Sequence, residues 1–501
     1  MSALQTIRTL IRLLEPEERK VVRAYLQAFD SRGDEFVSKS LTLFDTLCRE
    51  KTPAKDRDVE YWIYGKRKAH AWPQLLIRLR EKILDAACLP FNVGRQQFYD
   101  ERSRYLFKIR RKLQRAQFLV HRNHPDLADL EIETILELTE EIEAWEERLA
   151  ALKLRLEMLH RWPDIGKQIP FDKLETQMWD CKTIVNQSAV AEILLYRIKE
   201  RSLVTDSSLY QTMTSFIATV PGKRSVALEI DRELVKAYEF DFVRNNSVKA
   251  IDCLHRSLRL LEKQPLVKPA GYSGLIGLKL AEALLLQRRY HLAYEEAKEA
   301  LKHLSGYATE ATKAHELMFF AQCFRGDFQE AQNVLEVMDG QFPLNTPKRF
   351  CWFTYVHFAI GDFKEAEKYV DKMLSFSPKR GLTIQMQLLS LMNAAEMMIE
   401  NPDLSKDTDK LFYKIKVQLQ LDRDAFPREA VISEILFLLH KKNFSFKETF
   451  QASTEILDNL KKDERMKWQF MSDELIPFEE WFMIKVLKQD RIRTLKAIKL
   501  H

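Results

Sequence analysis

The residue types that catalysis most often uses are present in this chain, but they do not stand in the local patterns that mark known sites. The segment PGKR at 221–224 lacks the upstream glycine and the preceding strand of a phosphate-binding loop. Gly271, Gly274 and Gly277 do not follow the GxGxxG spacing and open a predicted helix, where glycine allows close packing or a flexible entry. Neither HExxH nor GxSxG occurs. The sequence therefore predicts a protein that is not an enzyme and needs no cofactor.

Metal-binding side chains are similarly dispersed. His121 and His124 could ligate a metal ion, but only Asp126 stands close enough in the sequence to join them. The six cysteines are at positions 48, 88, 181, 253, 323 and 351. No two of them form a CxxC pair, which favours reduced, mostly buried thiols over a disulfide framework or a zinc ribbon. We predict no metal site.

The composition indicates helices nearly throughout. Of the 501 residues, 46% are apolar and only 13 are Gly and 16 Pro, which leaves few turn residues for many-stranded sheets. An all-α fold is therefore predicted. The net charge of +6 is too small to imply nucleic acid by itself. Because Arg8 and Arg12 interrupt the first apolar stretch, and no uncharged apolar run reaches about 18 residues, a cytoplasmic protein is expected.

Heptad spacing marks the most regular part of the chain. Two series of residues seven apart occupy the a and d positions: Ile135, Ile142, Leu149, Leu156 and Leu138, Trp145, Leu152, Leu159. The segment NHPD at 123–126 ends one helix and starts another. We predict an antiparallel hairpin of helices at 97–122 and 126–160, forming a coiled-coil-like domain at 96–162 after a helical head at 1–95. Such a hairpin also offers a surface for homo-oligomer formation.

The first arm of this hairpin is basic and the second is acidic. Five basic residues of the first arm are candidates for contact with nucleic acid: Arg104, Lys108, Arg110, Arg111 and Arg115. Two interpretations stay open. The arm could bind an acidic polymer or membrane, or its charge could simply be neutralised by the acidic neighbour.

A repeat follows in the second half of the chain. The segments 324–343 and 358–378 align with a register of 35, which places Gly326 on Gly361 and Ala331 on Ala366. An earlier copy places Ala293 at the same position, 38 residues upstream. Helix pairs with small residues at their crossing points cannot bury an apolar face alone, so they stack into a solenoid with a concave surface.

These features resemble the tetratricopeptide repeat (TPR). The small residue of the second helix, the aromatic three positions before it, the Gly-Asp turn and the closing proline match that family. The opening Trp-x-x-Leu-Gly of the family is replaced, which makes the repeats degenerate. The resemblance implies a TPR-like α-solenoid over 163–501, clearest at 275–380.

The N-terminal stretch, LIRLLEPEERKVVRAYL, is similar to the start of Bacteroidetes-type bacterial proteins of about the same length, in which a helical head precedes TPR-like repeats. A helical head joined to a repeat superhelix also looks like the architecture of peptide-responsive bacterial regulators. This likeness implies an architecture and no activity.

The repeat register predicts which side chains face the concave surface. Six are predicted to bind a partner there: Lys313, Glu316, Phe320, Lys348, Tyr355 and Phe358. No asparagine clamp for a terminal carboxylate is present, so the aromatics beside the two lysines are expected to hold an apolar peptide with an acidic group. The alternative is that these aromatics only pack neighbouring helices.

The chain ends in a predicted amphipathic helix at 477–500. Its basic residues include Lys488, Arg491 and Arg493, which could touch nucleic acid. The competing interpretation is a helix that caps the last repeat and shows its charge to water.

Together these patterns predict a non-enzymatic, all-α scaffold or adaptor that binds a peptide or protein segment in the groove of a TPR-like solenoid. Two alternatives stay open: a nucleic-acid-associated protein that uses the basic helices at 102–122 and 485–499, and a peptide-responsive regulator. An enzyme would require acids or histidines of distant helices to converge in one pocket.

Overall fold

The structure is a computed structural model. It describes residues 3–14, 16–30, 38–49, 56–68, 70–88, 100–162, 170–199, 207–219, 225–341, 347–375, 380–400, 405–421, 423–463, 465–468 and 474–487. Over these ranges the secondary structure is helical and no strand occurs, which confirms the all-α fold class. No helix in these ranges is both long enough and apolar enough to cross a membrane.

The chain divides into two compact units, Met1–Glu131 and Ile132–His501. The first unit begins with α1 (Ala3–Leu13), α2 (Pro16–Asp30), α3 (Lys39–Leu47), α4 (Asp56–Tyr64) and α5 (Ala71–Cys88). Helices α1, α2 and α3 pack against α5 around a core that includes Leu4, Leu26, Phe44 and Leu79. The short helices expected in the head are therefore present. The division at 95/96 and 162/163 remains a prediction.

Two helices follow the head, α6 (Glu101–His121) and α7 (Pro125–Glu141), and the first unit ends within α7. Asp100 caps α6 by accepting a hydrogen bond from the Ser103 amide at 2.6 Å. Asn123, with a φ of 58°, forms the turn between the helices. Lys112 Nζ of α6 lies 2.8 Å from Glu131 Oε2 of α7. This ion pair joins the basic arm to the acidic helix that follows it.

The prediction of one continuous helix at 126–160 is wrong. The chain leaves the helical path after Glu141 and re-enters it as α8 (Trp145–Arg161). At the break, Glu143 has a φ of 51°, an unfavourable conformation for a residue with a side chain. Its carboxylate accepts hydrogen bonds from Ser225 Oγ at 2.6 Å and from the Val226 and Ala227 amides at 2.7 and 2.9 Å. These charge-assisted bonds offset the strain and cap a helix 82 residues further along.

The apolar residues of α8 pack against the helix that follows it, α9 (Phe171–Lys199). Leu152 of α8 shares a buried cluster with Leu174 and Cys181 of α9. The heptad residues of α8 therefore face α9 and not the first arm of the predicted hairpin.

The rest of the second unit consists of α10 (Ser207–Thr219) and a series of helix pairs. The helices of the series are α11 (Val226–Tyr238), α12 (Ser247–Lys263), α13 (Tyr272–Leu286), α14 (Tyr290–His303), α15 (Ala308–Arg325), α16 (Phe328–Gln341), α17 (Pro347–Ile360), α18 (Phe363–Leu374), α19 (Arg380–Glu400), α20 (Ser405–Leu421), α21 (Pro427–Lys441) and α22 (Phe446–Lys462), followed by α23 (Phe478–Val486). Each helix packs against the next, and first helices such as α17 and α19 also lie side by side. This is the stacking of a TPR-like solenoid.

The predicted repeat register is confirmed at the positions that carry it. Ala293, Ala331 and Ala366 are completely buried at the helix crossings. Gly326 and Gly361 end α15 and α17 with φ values of 78° and 97°, the left-handed conformation that glycine adopts without a steric cost. The closing prolines at 343 and 378 lie outside the described residues.

Gly274 allows α13 and α14 to approach closely, which is one of the two roles expected for the glycines of this segment. A Cβ at this position would lie 2.7 Å from Leu304 Cγ and 2.9 Å from the Ala300 carbonyl oxygen. Overpacking of this kind costs about 1–3 kcal/mol, whereas alanine gains about 1 kcal/mol over glycine in a helix. We therefore expect Gly274→Ala to lower the free energy of unfolding by about 1 kcal/mol in denaturant titrations.

Gly340 provides the control for this prediction. It lies in α16, and a Cβ there would have no atom within 4 Å. Gly340→Ala should therefore raise stability by up to about 1 kcal/mol. If both substitutions stabilise the protein, the close contact at Gly274 is not a constraint on packing.

Candidate functional site

We call the side of the solenoid formed by the first helices α13, α15, α17, α19 and α21 the first-helix face. On it α13 packs against α15, α17 against α19 and α19 against α21, and ring contacts join α15 to α17. All six residues predicted to bind a partner belong to α15 or α17 of this face. The structure separates them into a buried aromatic group and a more accessible charged group. These two groups have different roles.

The three predicted aromatic anchors are part of the core. Phe320 and Tyr355 are 5% and 3% exposed, and Phe358 is completely buried. Phe320 makes an edge contact with Trp352 at 5.4 Å between ring centroids, and Phe358 makes one with Phe363 at 5.9 Å. In this structure the aromatics therefore join neighbouring helices, as in the alternative that the sequence left open.

The charged residues form a ladder that runs from one first helix to the next. Lys279 Nζ lies 3.0 Å from Asp241 Oδ2 and 3.5 Å from Glu282 Oε2, and Lys313 Nζ lies 3.5 Å from the same Glu282 oxygen. Burial would raise the pKa of Glu282, but Lys279 and Lys313 outweigh it and hold that pKa below its usual range. Asp241 belongs to a π-helical turn at Glu239–Val243 that brings it next to α13.

Lysine occupies the same repeat position in two successive first helices. Lys313 and Lys348 stand 35 residues apart, the length of one repeat. Lys279 is largely buried in its ion pairs, but the Lys313 side chain is 50% exposed and Lys348 is exposed above the Trp352 ring. The face thus presents two accessible ammonium groups one repeat apart.

Glu316 lies on the same face and is half-buried. Burial raises the pKa of the Glu316 carboxyl, and the nearby charges of Lys348, Lys313 and Arg349 only partly oppose this effect. The charged form of Glu316 is therefore less favourable here than in the unfolded chain. A partner that brings a hydrogen-bond donor to this carboxylate would relieve that cost.

Glu316→Gln tests this environment through pH. Because the folded pKa of Glu316 is raised above its unfolded value, the folded state binds the proton more tightly, and stability falls as pH rises through both values. We expect Glu316→Gln to melt at a higher temperature than the parent at pH 7, with the difference shrinking as pH falls toward about 4.3, the unfolded value for Glu. Glu455→Gln, at an exposed position of α22, should leave the melting temperature nearly unchanged. A pH-independent difference at Glu316 would contradict the assignment.

Residues 474–487, which we call the C-terminal segment, cover another part of the first-helix face. Its helix α23 covers Phe478–Val486, and residues 488–500 of the predicted helix at 477–500 lie outside the described residues. Trp481 of α23 lies 6.2 Å from Phe358 of α17 between ring centroids and donates a hydrogen bond to Glu396 of α19 at 2.8 Å. The predicted basic residues Lys488, Arg491 and Arg493 lie outside the described residues.

Comparison with known proteins finds similar solved structures. They include RapI in its apo form (12% identity, TM-score 0.41, 76% of this chain and 98% of that one), aspartyl phosphate phosphatase F from Bacillus subtilis (10%, 0.37, 75% and 98%) and the apo quorum sensor NprR from B. thuringiensis (14%, 0.42, 73% and 98%). No protein-family model matches the chain, and no curated protein matches it significantly. These comparisons lend no support to the resemblance to Bacteroidetes-type proteins.

The basic residues predicted on the first arm all lie on α6 and are exposed. Four of them form a single line along the helix, because steps of four, three and four residues return to the same face: Arg104, Lys108, Arg111 and Arg115. The exposed ring of Phe118 continues this line, and the Arg122 guanidinium lies 5.4 Å from its centroid. This arrangement is accessible to an anionic partner.

The first unit also contains a cavity of about 340 Å³ whose wall is rich in arginine. Arg8, Arg12, Arg19 and Arg49 line it together with Cys48. Arg19 has a structural role there, since its Nε donates to the carbonyls of Ile11 and Leu14 at the end of α1. Among the described residues, no group of three or more His, Cys, Asp or Glu side chains is placed to hold a metal ion.

Proposed function

We propose that this protein is a non-enzymatic scaffold that binds an acidic peptide or protein segment on the first-helix face. The observation that supports this most directly is the recurrence of lysine at one repeat position, with Lys313 and Lys348 accessible and Glu316 between them. An extended segment laid across successive helices would meet one ammonium group per repeat. Carboxylates of the segment would pair with the lysines, and a backbone amide or a cation would satisfy Glu316.

The recognition is expected to be mainly electrostatic because the aromatic side chains of the face are already buried. Exposed ion pairs are each weak, so affinity depends on several contacts along the ladder acting together. The function proposed here therefore needs at least two lysines at once.

A selection of random peptides displayed on phage tests this proposal. We expect the peptides enriched on the full chain to be rich in Asp and Glu, and to bind the Lys313→Ala/Lys348→Ala variant about tenfold more weakly in fluorescence anisotropy. The matched control is Lys364→Ala/Lys368→Ala, which removes two exposed lysines from α18, a second helix. Peptides without acidic residues, or equal affinity for both variants, would refute the proposed site.

A second candidate function is binding of nucleic acid by α6, and the line of four cations beside Phe118 favours it. Phosphates spaced along a nucleic-acid backbone can pair with cations that recur on one helix face, and an exposed ring can stack on a base. Such binding weakens steeply with salt because counterions are released.

The salt dependence of binding to a labelled DNA duplex tests this second function. Each phosphate contact contributes about −0.9 to the slope of log K against log salt. Lys108→Ala/Arg111→Ala/Arg115→Ala should therefore reduce the steepness of that slope by up to about 3. A slope that stays unchanged in the triple variant, or no binding near 50 mM salt, would exclude α6 as the contact.

A further inference from the structure

The C-terminal segment, residues 474–487, does not simply cap the last helix pair. Trp468, just upstream of it, packs edge-on against Phe324 of α15 at 6.4 Å, and Trp481 reaches Phe358 of α17. Glu396 of α19 and Arg428 of α21 also bind this part of the chain. An end cap would touch only α21 and α22, whereas this stretch contacts first helices of four successive pairs.

Two buried charged residues of the first-helix face, Glu396 and Arg428, bind the C-terminal segment, and we call them the two sockets. Glu396 is 3% exposed. It accepts hydrogen bonds from Trp481 Nε1 at 2.8 Å and from Lys485 Nζ at 2.6 Å. All partners of this carboxylate among the described residues thus come from the C-terminal segment.

Arg428 is the second of these two sockets, and it binds two carboxylates of the segment, those of Glu474 and Glu479. Its Nε and Nη2 donate to the Glu474 carboxylate at 2.8 and 2.9 Å, and Nη2 also donates to Glu479 at 2.6 Å. Its Nη1 donates to the Met466 carbonyl at 2.6 Å. A guanidinium held by two carboxylates and a carbonyl fixes the register of the segment as well as its position.

Between the sockets, the segment contributes three aromatic residues at helical spacing. Phe478, Trp481 and Phe482 are each at most 2% exposed, and Phe446 of α22 packs against Trp481 at 5.4 Å and against Phe482 at 5.3 Å. Helix α23 has only nine residues, too few to be stable alone in water. Its helical form therefore depends on docking.

We propose that the first-helix face from α17 to α21 is a ligand-binding site for a short aromatic helix, and that the C-terminal segment occupies this site in cis. The ligand class follows from the sockets: aromatic residues at positions equivalent to 478, 481 and 482, an acid for Arg428 and a cation for Glu396. A partner helix of this pattern can bind only when the segment leaves. The proposal extends the proposed function, since it assigns an occupant to the same face.

A synthetic labelled peptide of residues 465–487 tests this site in trans. We expect it to bind the full-length Trp481→Ala variant at least about tenfold more tightly than the parent, in which the tethered segment competes at high effective concentration. A peptide that itself carries Trp481→Ala should not bind the Trp481→Ala protein more tightly than it binds the parent. The unchanged peptide should likewise bind the double variant Trp481→Ala/Glu396→Ala no more tightly than the parent. Leu487→Ala, at a residue 55% exposed, is the control chain and should behave as the parent. A folded Trp481→Ala protein that does not bind the peptide would overturn the proposal.

Hydrogen exchange of the parent chain keeps the proposal testable if Trp481→Ala does not fold. We expect the amides of α23 to exchange at least about tenfold faster than those of α17, because a docked segment opens locally without global unfolding. Equal exchange in α17 and α23 would show that the segment is inseparable from the core, and the proposal would fail. Neither result affects the peptide selection at Lys313 and Lys348, so the two proposals can fail separately.

Discussion

Arg428→Ala is expected to lower the free energy of unfolding by about 3–5 kcal/mol, because it leaves two buried carboxylates without their common partner. Burial alone would lower the pKa of Arg428, but hydrogen bonds and charges from Glu474 and Glu479 outweigh it and raise that pKa further. Glu474 and Glu479 are 6% and 8% exposed and cannot recover full hydration while the C-terminal segment stays docked.

The pH dependence of this loss identifies its cause. Burial raises the pKa of Glu474 even with Arg428 in place, so without Arg428 the carboxyl takes up a proton more readily still. The penalty of Arg428→Ala should therefore be smaller at pH 5 than at pH 7.5 in urea titrations. Arg428→Met combined with Glu474→Gln and Glu479→Gln removes every charge of the cluster and should restore most of the lost stability. A penalty that is equal at both pH values would point to lost packing of the arginine stem.

The sequence was sufficient to predict the repeat because its signal is local. A small residue at each helix crossing and a glycine at each turn are dictated by short-range geometry, and Ala331, Ala366, Gly326 and Gly361 all behave as their pattern predicts. The same holds for Gly274, where close packing follows from the absence of a side chain. These alanines and glycines can be recognised from a short segment of the sequence, without knowledge of contacts between distant segments.

The features that the sequence did not reveal depend on contacts between distant segments. The break at Glu143 is stabilised by amides 83 and 84 residues away, so a continuous heptad pattern gave no sign of it. The C-terminal segment meets Glu396 across 85 and 89 residues. A single sequence shows which residues are charged or polar, but it does not show that Glu396 contacts Trp481 and Lys485.

The six residues predicted to bind a partner separate into buried aromatic residues and more accessible charged residues because burial also depends on contacts between distant segments. Periodicity assigned Phe320, Tyr355 and Phe358 to first helices of their pairs, and they lie on α15 and α17. Periodicity does not distinguish an aromatic residue that faces a groove from one that is covered by the neighbouring helix or by the C-terminal segment. Lys313 and Lys348 remain accessible because their aliphatic side chains are long enough to place the ammonium groups in water, outside the buried aromatic residues. Trp352 went unnoticed in the sequence, although it joins the two helices that carry these lysines.

Trp352→Ala is expected to destabilise the solenoid by about 3–5 kcal/mol, the range for truncating a buried aromatic residue. Trp352 is 1% exposed and lies against the rings of Phe319 at 5.1 Å and Phe320 at 5.4 Å, which join α17 to α15. Its removal leaves a cavity at the junction of two repeats, where each repeat depends on its neighbour for burial. Thermal melting and urea titration should both report the loss.

Trp179→Ala is the matched control, since Trp179 of α9 is 58% exposed and its loss should change stability by no more than about 0.5 kcal/mol. The Trp352 substitution also tests the charged face, because Lys348 Nζ lies 5.1 Å from the centre of that ring. Without the ring, Lys348 loses the support that orients it, so any acidic peptide selected on the parent should bind Trp352→Ala more weakly at temperatures where the variant is folded. Unchanged peptide affinity in the folded variant would mean that Lys348 does not need the ring to hold its position.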